Sequence, residues 1–380
     1  MSKVNIHQIC TICVMDTTDI NIKFDSNGVC ERCNDYTNNI LPIWNKGEGQ
    51  EEKLKIIIDK IKRNGNGKQF DCLLGLSGGF DSSYLLHFAV TELKLRPLVF
   101  HIDSGWDEPF ALDNIRRITN KLGVELKIEA INWKEMINFQ LAYFKSGVPH
   151  LDTPQDLAFV AVLDKYAIEN NLQYILNGGN ISTEVIVNPN GWSYWGTDMV
   201  HNKDILKRFG IGKMETYAFT NVINRKIIIP YIKGIKVVKL LNYVPYIKVE
   251  AEQVLVNEYG FLPYKQKHFE SILTKFIEGY WLPKRFGYDV RKPQFSSLIL
   301  TGQMTREEAL EQLKSPPLTE QEEKSLFTFV AERLEISEDE LQSYFTMPLK
   351  TYKDYKNQEY LFSVGSKLMK LMKLDKLIRK

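Results

Sequence analysis

The sequence predicts an α/β protein: a doubly wound parallel sheet, preceded by an N-terminal zinc-ribbon module and followed by a helical C-terminal region. Three observations carry this prediction. Between residues 70 and 176, short apolar runs of strand length alternate with helically periodic stretches, the pattern of a parallel sheet built from crossover units. Two C-x2-C pairs stand within the first 33 residues. Beyond residue 300, helix-start signals recur.

The chain has 380 residues, and its hydrophobic, charged and aromatic shares of 44%, 25% and 12% are globular values. A length of this size suggests two to three domains. We divide it into a zinc-binding module over 1–45, a nucleotide-binding domain over 46–250 and a mainly helical substrate- or partner-binding region over 251–380. The net charge of +2 does not call for a polyanionic partner, so no nucleic acid is expected. The most apolar long stretch, Ile227 to Val249, is interrupted by lysines and by Pro230 and Pro245, and no membrane span is expected. The opening MSKVNIHQIC lacks an apolar leader core, so a cytoplasmic protein is expected.

Cys10, Cys13, Cys30 and Cys33 form the two pairs, with 16 residues between Cys13 and Cys30. That spacing is the one expected of a four-cysteine zinc site. The intervening residues can form a hairpin closing at Ser26-Asn27-Gly28. Four thiolates close the tetrahedron of Zn²⁺ and leave no open position, so the metal would be structural. The same thiolates could hold an iron–sulfur cluster. Five cysteines in a reducing compartment do not make a disulfide scaffold, and Cys72 reads as buried in mid-strand.

FDCLLGL (70–76) reads as the first sheet strand. It runs into Ser77-Gly78-Gly79-Phe80-Asp81-Ser82-Ser83 and then a helical pattern. Strand, glycine turn and helix is the context of a phosphate site. Glycines let backbone approach an anion, and helix N-terminal amides point at it. Ser77, Ser82 and Ser83 add hydroxyls. Asp81 would repel bare phosphate and is read as a Mg²⁺ ligand or a helix cap. Pro97–Ile102, ending at Asp103-Ser104-Gly105, and Val124–Ile128 read as further strands, with helices near 111–122 and over Asp156–Asn170. Tyr174-Ile175-Leu176 leads into Asn177-Gly178-Gly179-Asn180 and Ser182-Thr183-Glu184. Ligands in such sheets bind beyond the strand C-termini, where all these loops lie.

Residues 191–222 read as irregular, with Trp192, Tyr194 and Trp195 in either a packed connection or a lid. Residues 222–250 read as a surface helix or helix pair. Lys265, Lys267, His268, Arg285, Arg291 and Lys292 lie among aromatic residues. Such cations suit an anionic nucleotide sugar or polyphosphate; on composition alone they make a solvated basic surface. Thr305–Glu308 is a capping box, and further helices start near Thr319 and at Ser337. The basic end, 367–380, could be a partner or oligomer helix.

SGGFDSS resembles the SGGxDSS signature of the PP-loop ATP pyrophosphatases, which cleave ATP between its α and β phosphates. Three blocks together, CTICVMDTTDINIKFDSNGVCERC, LLGLSGGFDSSYLLH and the stretch from GFLPYKQKHFES through LPKRFGYDVRK to LTGQMTREEAL, resemble the N-acetyl sugar amidotransferase family of that superfamily. They span residues 10 to about 310. The resemblance implies an adenine nucleotide alpha hydrolase-like fold. It implies an ATP-dependent enzyme of bacterial surface-glycan biosynthesis, in lipopolysaccharide O-antigen or flagellin glycan, that turns an acetamido group of a nucleotide-activated sugar into an acetamidino group. An O-adenylyl imidate is the intermediate. ATP, Mg²⁺ and structural Zn²⁺ are the implied cofactors. A glutaminase subunit and an ammonia-channelling barrel subunit, like those of histidine biosynthesis, are the implied partners. Ser77, Gly78, Gly79, Asp81, Ser82 and Ser83 would hold the pyrophosphate, with Ser77 and Asp81 catalytic. The second strand end, at Asp103, would face the adenosine. Gly178, Gly179 and Glu184 lie in a loop resembling the one that contacts ATP and metal, so Asp81 and Glu184 would hold Mg²⁺. Family members often carry His near Gln294, so no acid–base role is assigned there. Two other readings are a PP-loop tRNA-thiolating enzyme and a non-catalytic nucleotide-binding zinc-ribbon adaptor.

Overall fold

Alternating apolar runs become five parallel strands in the computed structural model, which describes residues 7–371. They are β1 (Cys72–Gly75), β2 (Pro97–Asp103), β3 (Leu126–Ala130), β4 (Tyr174–Leu176) and β5 (Lys236–Val238). Their order is β3-β2-β1-β4-β5, and every pairing is parallel. The winding therefore reverses between β1 and β4, the position at which such sheets open a crevice.

Side-chain alternation explains why β1 is apolar throughout. Leu73 packs on one face with Leu98, Phe100, Val162 and Ile175, while Cys72 and Leu74 pack on the other with Leu85, Val99, Ile115 and Leu176. A strand covered by helices on both faces loses its polar/apolar alternation. Each fully buried leucine contributes about 1.5–3 kcal/mol.

The helix expected near 111–122 runs from Pro109 to Leu122, and that expected over 156–170 from Thr153 to Glu169. Two stretches differ from expectation. Within 191–222 lies a helix, Met199–Phe209, capped by the Asp198 carboxylate, which accepts from the Val200 and His201 amides. Its start, MVHNKD, is too polar to show an apolar stripe. Within 222–250 there is no helix pair. A π-helical segment, Asn224–Ile232, contains Pro230, and β5 then joins the sheet edge. Pro230 lacks the amide that regular helical bonding needs. The three residues of β5, of which the first is Lys236 and the next after the strand Lys239, give no periodic signal.

A second core lies beside the sheet. It joins the helix Trp133–Ser146 to C-terminal helices through Phe144, Phe276, Trp281, Val330 and Leu341. Thr305 and Thr319 form capping boxes, and Ser337 caps Glu338–Thr346. The backbone of Glu359–Leu371 is helical; the rest of the basic end, 372–380, lies outside the described residues. The aromatic connection is packed: Trp192 stacks on Tyr288 at 4.7 Å and Tyr194 on Tyr352 at 4.3 Å. No helix among the described residues is long and apolar enough to cross a membrane.

Candidate active site

The loop after β1 turns on glycine. Gly78 has φ +81°, and a Cβ there would lie 2.7 Å from the Ala111 carbonyl oxygen. Gly79 is the extended N-cap of the helix Phe80–His87 and offers no capping side chain. The first-turn amides of a helix have no intrahelical acceptor; apart from that of Phe80, which Tyr264 takes, they are left for an incoming anion. Ser77 and Ser82 bring their hydroxyls to 3.1 Å of each other. The Phe80 amide donates to the Tyr264 hydroxyl at 3.0 Å, and the two rings stack at 4.6 Å. After β4, Gly178 touches this loop so closely that a Cβ would lie 2.8 Å from the Ser82 nitrogen.

Between the β1 and β4 loops stands Lys267. Its Nζ donates to Asp81 Oδ2 and Glu184 Oε1, each at 2.7 Å, and to Thr183 Oγ1 at 3.1 Å. Tyr246 donates its hydroxyl to the other Asp81 oxygen at 2.6 Å. Burial works against the Asp81 charge, but Lys267 outweighs it and holds the carboxyl below the usual range. Burial likewise opposes the Lys267 charge, and the two carboxylates overcome it, raising its pKa. Asp81 and Glu184 thus converge on one cation position, which the lysine ammonium fills. The pair fits Mg²⁺ only if Lys267 turns away.

These groups line one end of a cavity of about 710 Å³. Ser77, Gly79, Asp81, Ser82, Gly178, Gly179 and Glu184 reach it. Ser83 is buried, and Gly78 and Asp103 are not among the lining residues. Asp103 instead accepts the Gly105 amide at 2.8 Å, and its neighbours Ile102 and Ser104 face the cavity. Of the six basic residues singled out, Lys267 and His268 line the cavity. Lys265 donates to the Pro317 carbonyl at 3.4 Å, and Arg285 donates to the Phe345 carbonyl. Arg291 pairs with Asp289 at 2.6 Å and caps the Ser315 carbonyl at 2.9 Å. Lys292 pairs with Asp16 of the cysteine module at 2.5 Å. These four tie structure together rather than facing the cavity.

A second part of the cavity wall is acidic. Asp152 and Asp156 face it from the helix Thr153–Glu169 and its N-cap, and Glu278 faces it from the C-terminal region. His268, at φ +70°, places Nδ1 3.0 Å from Glu278 Oε1. Burial disfavours its cation, but the Glu278 carboxylate prevails and lifts its pKa to about 9. Burial raises Asp156 to about 6, even though its carboxylate opens to the cavity. It raises Asp152 well above the usual range, reinforced by Asp156 and Glu278. Sequence reasoning missed this acidic end, and also Tyr246 and Lys248, which lines the cavity. The i, i+4 spacing of Asp152 and Asp156 was the available signal.

The four module cysteines are fully buried, with ligand atoms all within 4.8 Å of one another. Three sulfur separations are 3.8, 3.7 and 3.5 Å. Four sulfurs about 2.3 Å from one zinc ion lie about 3.8 Å apart, so the cluster fits zinc. A cubane cluster binds each thiolate to a different iron and would spread them farther. The module is tied to the site. Arg306 donates to the Cys10 and Cys13 carbonyls, and the Val14 amide donates to Ser296 Oγ at 3.3 Å. Ser296 belongs to the helix Arg291–Thr301, whose Thr301 hydroxyl donates to the Ser182 carbonyl at 2.8 Å, two residues before Glu184.

Residues 270–369 match the family described as LPS biosynthesis protein WbpG-like, C-terminal domain. This supports the family resemblance drawn from the sequence, over a region that begins at Glu270 and takes in Glu278 of the cavity. A curated relative, the uncharacterized protein MJ1599 of Methanocaldococcus jannaschii, is 27% identical over 120 residues. That alignment spans 31% of this chain and 41% of the relative's length. Similar solved structures include an NH3-dependent NAD synthetase from Campylobacter jejuni, at 16% identity and TM-score 0.30, covering 79% of this chain and 98% of that one. Another is the U34-tRNA thiolase NcsA from Methanococcus maripaludis with its [4Fe-4S] cluster, at 14% identity and TM-score 0.29, covering 81% and 88%.

Proposed function

We propose that the protein is an ATP-dependent amidotransferase of surface-glycan biosynthesis that converts the acetamido group of a nucleotide-activated sugar into an acetamidino group. The observation that carries this is the meeting of the SGGFDSS loop, Asp81, Glu184 and Lys267 on the wall of one cavity of about 710 Å³.

An amide carbon resists ammonia because its oxygen leaves poorly. In the proposed reaction that oxygen attacks the α-phosphate of ATP, an O–P bond forms and pyrophosphate departs. Ammonia then adds to the carbon, the carbon–oxygen bond breaks and AMP leaves with the oxygen. The chain's work is positioning and charge stabilisation. Ser77, Ser82 and the first-turn amides would receive the pyrophosphate. Mg²⁺ on Asp81 and Glu184 would neutralise phosphate charge, and Lys267, released from the carboxylates, would turn to the phosphates. Tyr264 holds the loop through its bond to the Phe80 amide. Zinc on the four cysteines would keep the module, and through Arg291–Thr301 the Glu184 loop, in place.

Ammonia would come from partner subunits, a glutaminase and a channelling barrel. Reading the protein as a tRNA-thiolating enzyme would require a sulfur-transferring cysteine at the cavity. The one cysteine outside the module, Cys72, lies buried within β1, and burial raises its thiol pKa. The test is incubation with ATP, ammonium chloride and a panel of nucleotide-activated acetamido sugars. AMP, pyrophosphate and replacement of sugar oxygen by NH are expected. ADP and phosphate as products would refute the reading.

A further inference from the structure

The acidic end of the cavity gathers three carboxyl groups around one cationic side chain. Asp152 and Glu278 supply two carboxylates and Asp156 a third, all lining the same space. Asp152 accepts one hydrogen bond, from Thr274 Oγ1 at 3.1 Å. Asp156 makes none among the described residues, and its carboxylate faces the open cavity. Glu278 is 6% exposed, and its Oε2 has no hydrogen-bond partner among the described residues. The cation acting on all three is His268, whose Nδ1 is already committed to Glu278 Oε1. Lys267 is held at the other end by Asp81 and Glu184.

A buried carboxylate oxygen without a donor is costly, and like charges crowded together raise that cost. The end is therefore shaped for an occupant that brings positive charge and several N–H donors. It does not suit the diphosphate of a nucleotide sugar, which it would repel.

We propose that Asp152, Asp156 and Glu278 form an ammonium-binding subsite that captures NH4⁺ beside the reacting amide carbon and takes its proton. This rests on the amidotransferase reading. Ammonium is the prevailing form of the nitrogen donor at neutral pH, and it has no lone pair for attack. In the subsite an N–H bond of NH4⁺ breaks and the proton passes to the Asp156 carboxylate. The freed lone pair forms the new C–N bond, and AMP leaves with the electron pair of the broken C–O bond. Asp156 then returns the proton to solvent. Enclosure by the cavity walls, which lifts Asp156 to about 6, makes its carboxylate a better proton acceptor than an aspartate on the outer surface. Thr274, which bonds both Asp152 and Gln155, fixes one wall of the subsite.

Two measurements test the proposal. Crystals of the full chain soaked in rubidium chloride, whose cation is close to ammonium in size, should show an anomalous peak within contact of Asp156 and Glu278. The peak should be absent from Asp156→Asn crystals and displaced by ammonium chloride. No peak in the wild-type protein, or a peak given by manganese but not by rubidium, would overturn the subsite. In the amidination assay, Asp156→Asn should raise the half-saturating ammonium chloride concentration about tenfold or more while that for ATP moves less than about twofold. Equal shifts for both would show a merely structural role and overturn the proposal. A rubidium peak in a protein that never forms AMP would instead refute the amidotransferase reading and leave the cation site standing.

Discussion

Replacing Lys267 by Met tests the electrostatic logic of the Asp81–Lys267–Glu184 cluster. The side chain is 14% exposed and the Asp81 side chain 17%, with Nζ at 2.7 Å from each of two carboxylate oxygens. Breaking a buried pair by removing one partner costs about 3–5 kcal/mol. Cavity solvent at the more exposed Glu184 reduces this, so a loss of about 2–3 kcal/mol is expected at pH 7.5. In the wild type, the depressed Asp81 pKa contributes stability that is present above the unfolded carboxyl value and lost as pH falls through the folded one. Without Lys267 the sign reverses. Burial and the neighbouring Glu184 would raise Asp81 above its unfolded value, so the variant should recover stability as pH falls from 7.5 toward 5. Thermal melting at both pH values should show a gap of several degrees at pH 7.5 that narrows at pH 5. Mg²⁺ should stabilise the variant more than the wild type, because the carboxylates then have no competing cation. A gap that is the same at both pH values, with no Mg²⁺ effect, would refute the reasoning.

Other expectations follow from particular contacts. Gly178→Ala places a methyl 2.8 Å from the Ser82 nitrogen, so half-saturating ATP should rise about tenfold or more with the fold intact by circular dichroism. Glu278→Gln removes the carboxylate that lifts His268 to about 9, and its imidazole, followed by NMR, should titrate below neutrality. The sign follows from linkage. His268 contributes stability below its unfolded value near 6.5 that is lost as pH rises through about 9, and the variant should lack this alkaline loss. Cys13→Ser should lose bound zinc and weaken nucleotide binding, because the module reaches Glu184 through Ser296 and Thr301; unchanged ATP affinity in a zinc-free variant would sever that link.

Strands and helices packed on both faces were legible because burial leaves a mark on composition: FDCLLGL and PLVFHI read as strands and form β1 and β2. The edge strand β5 was not legible. An edge needs one buried neighbour only, and two valines between Lys236 and Lys239 satisfy that without a pattern. The strand–glycine turn–helix at SGGFDSS and the clustering of both cysteine pairs were legible because their residues are local in sequence. The acidic end was not, since Asp152 and Asp156 lie more than a hundred residues from Glu278 and meet it through tertiary contacts such as Phe144 on Trp281 and Thr274 on Asp152. The basic stretch misled in part. Arg291 and Lys292 have the composition of a ligand-binding surface, but their charges are used by Asp289 and Asp16.

The central claim is that an amide oxygen attacks the α-phosphate in this cavity. A nucleotide-activated sugar carrying heavy oxygen in its acetamido carbonyl tests it directly. After turnover with ATP and ammonium chloride, the account predicts the heavy oxygen in AMP and none in pyrophosphate. Heavy oxygen in inorganic phosphate, or retained in the sugar while ATP is consumed, would contradict it.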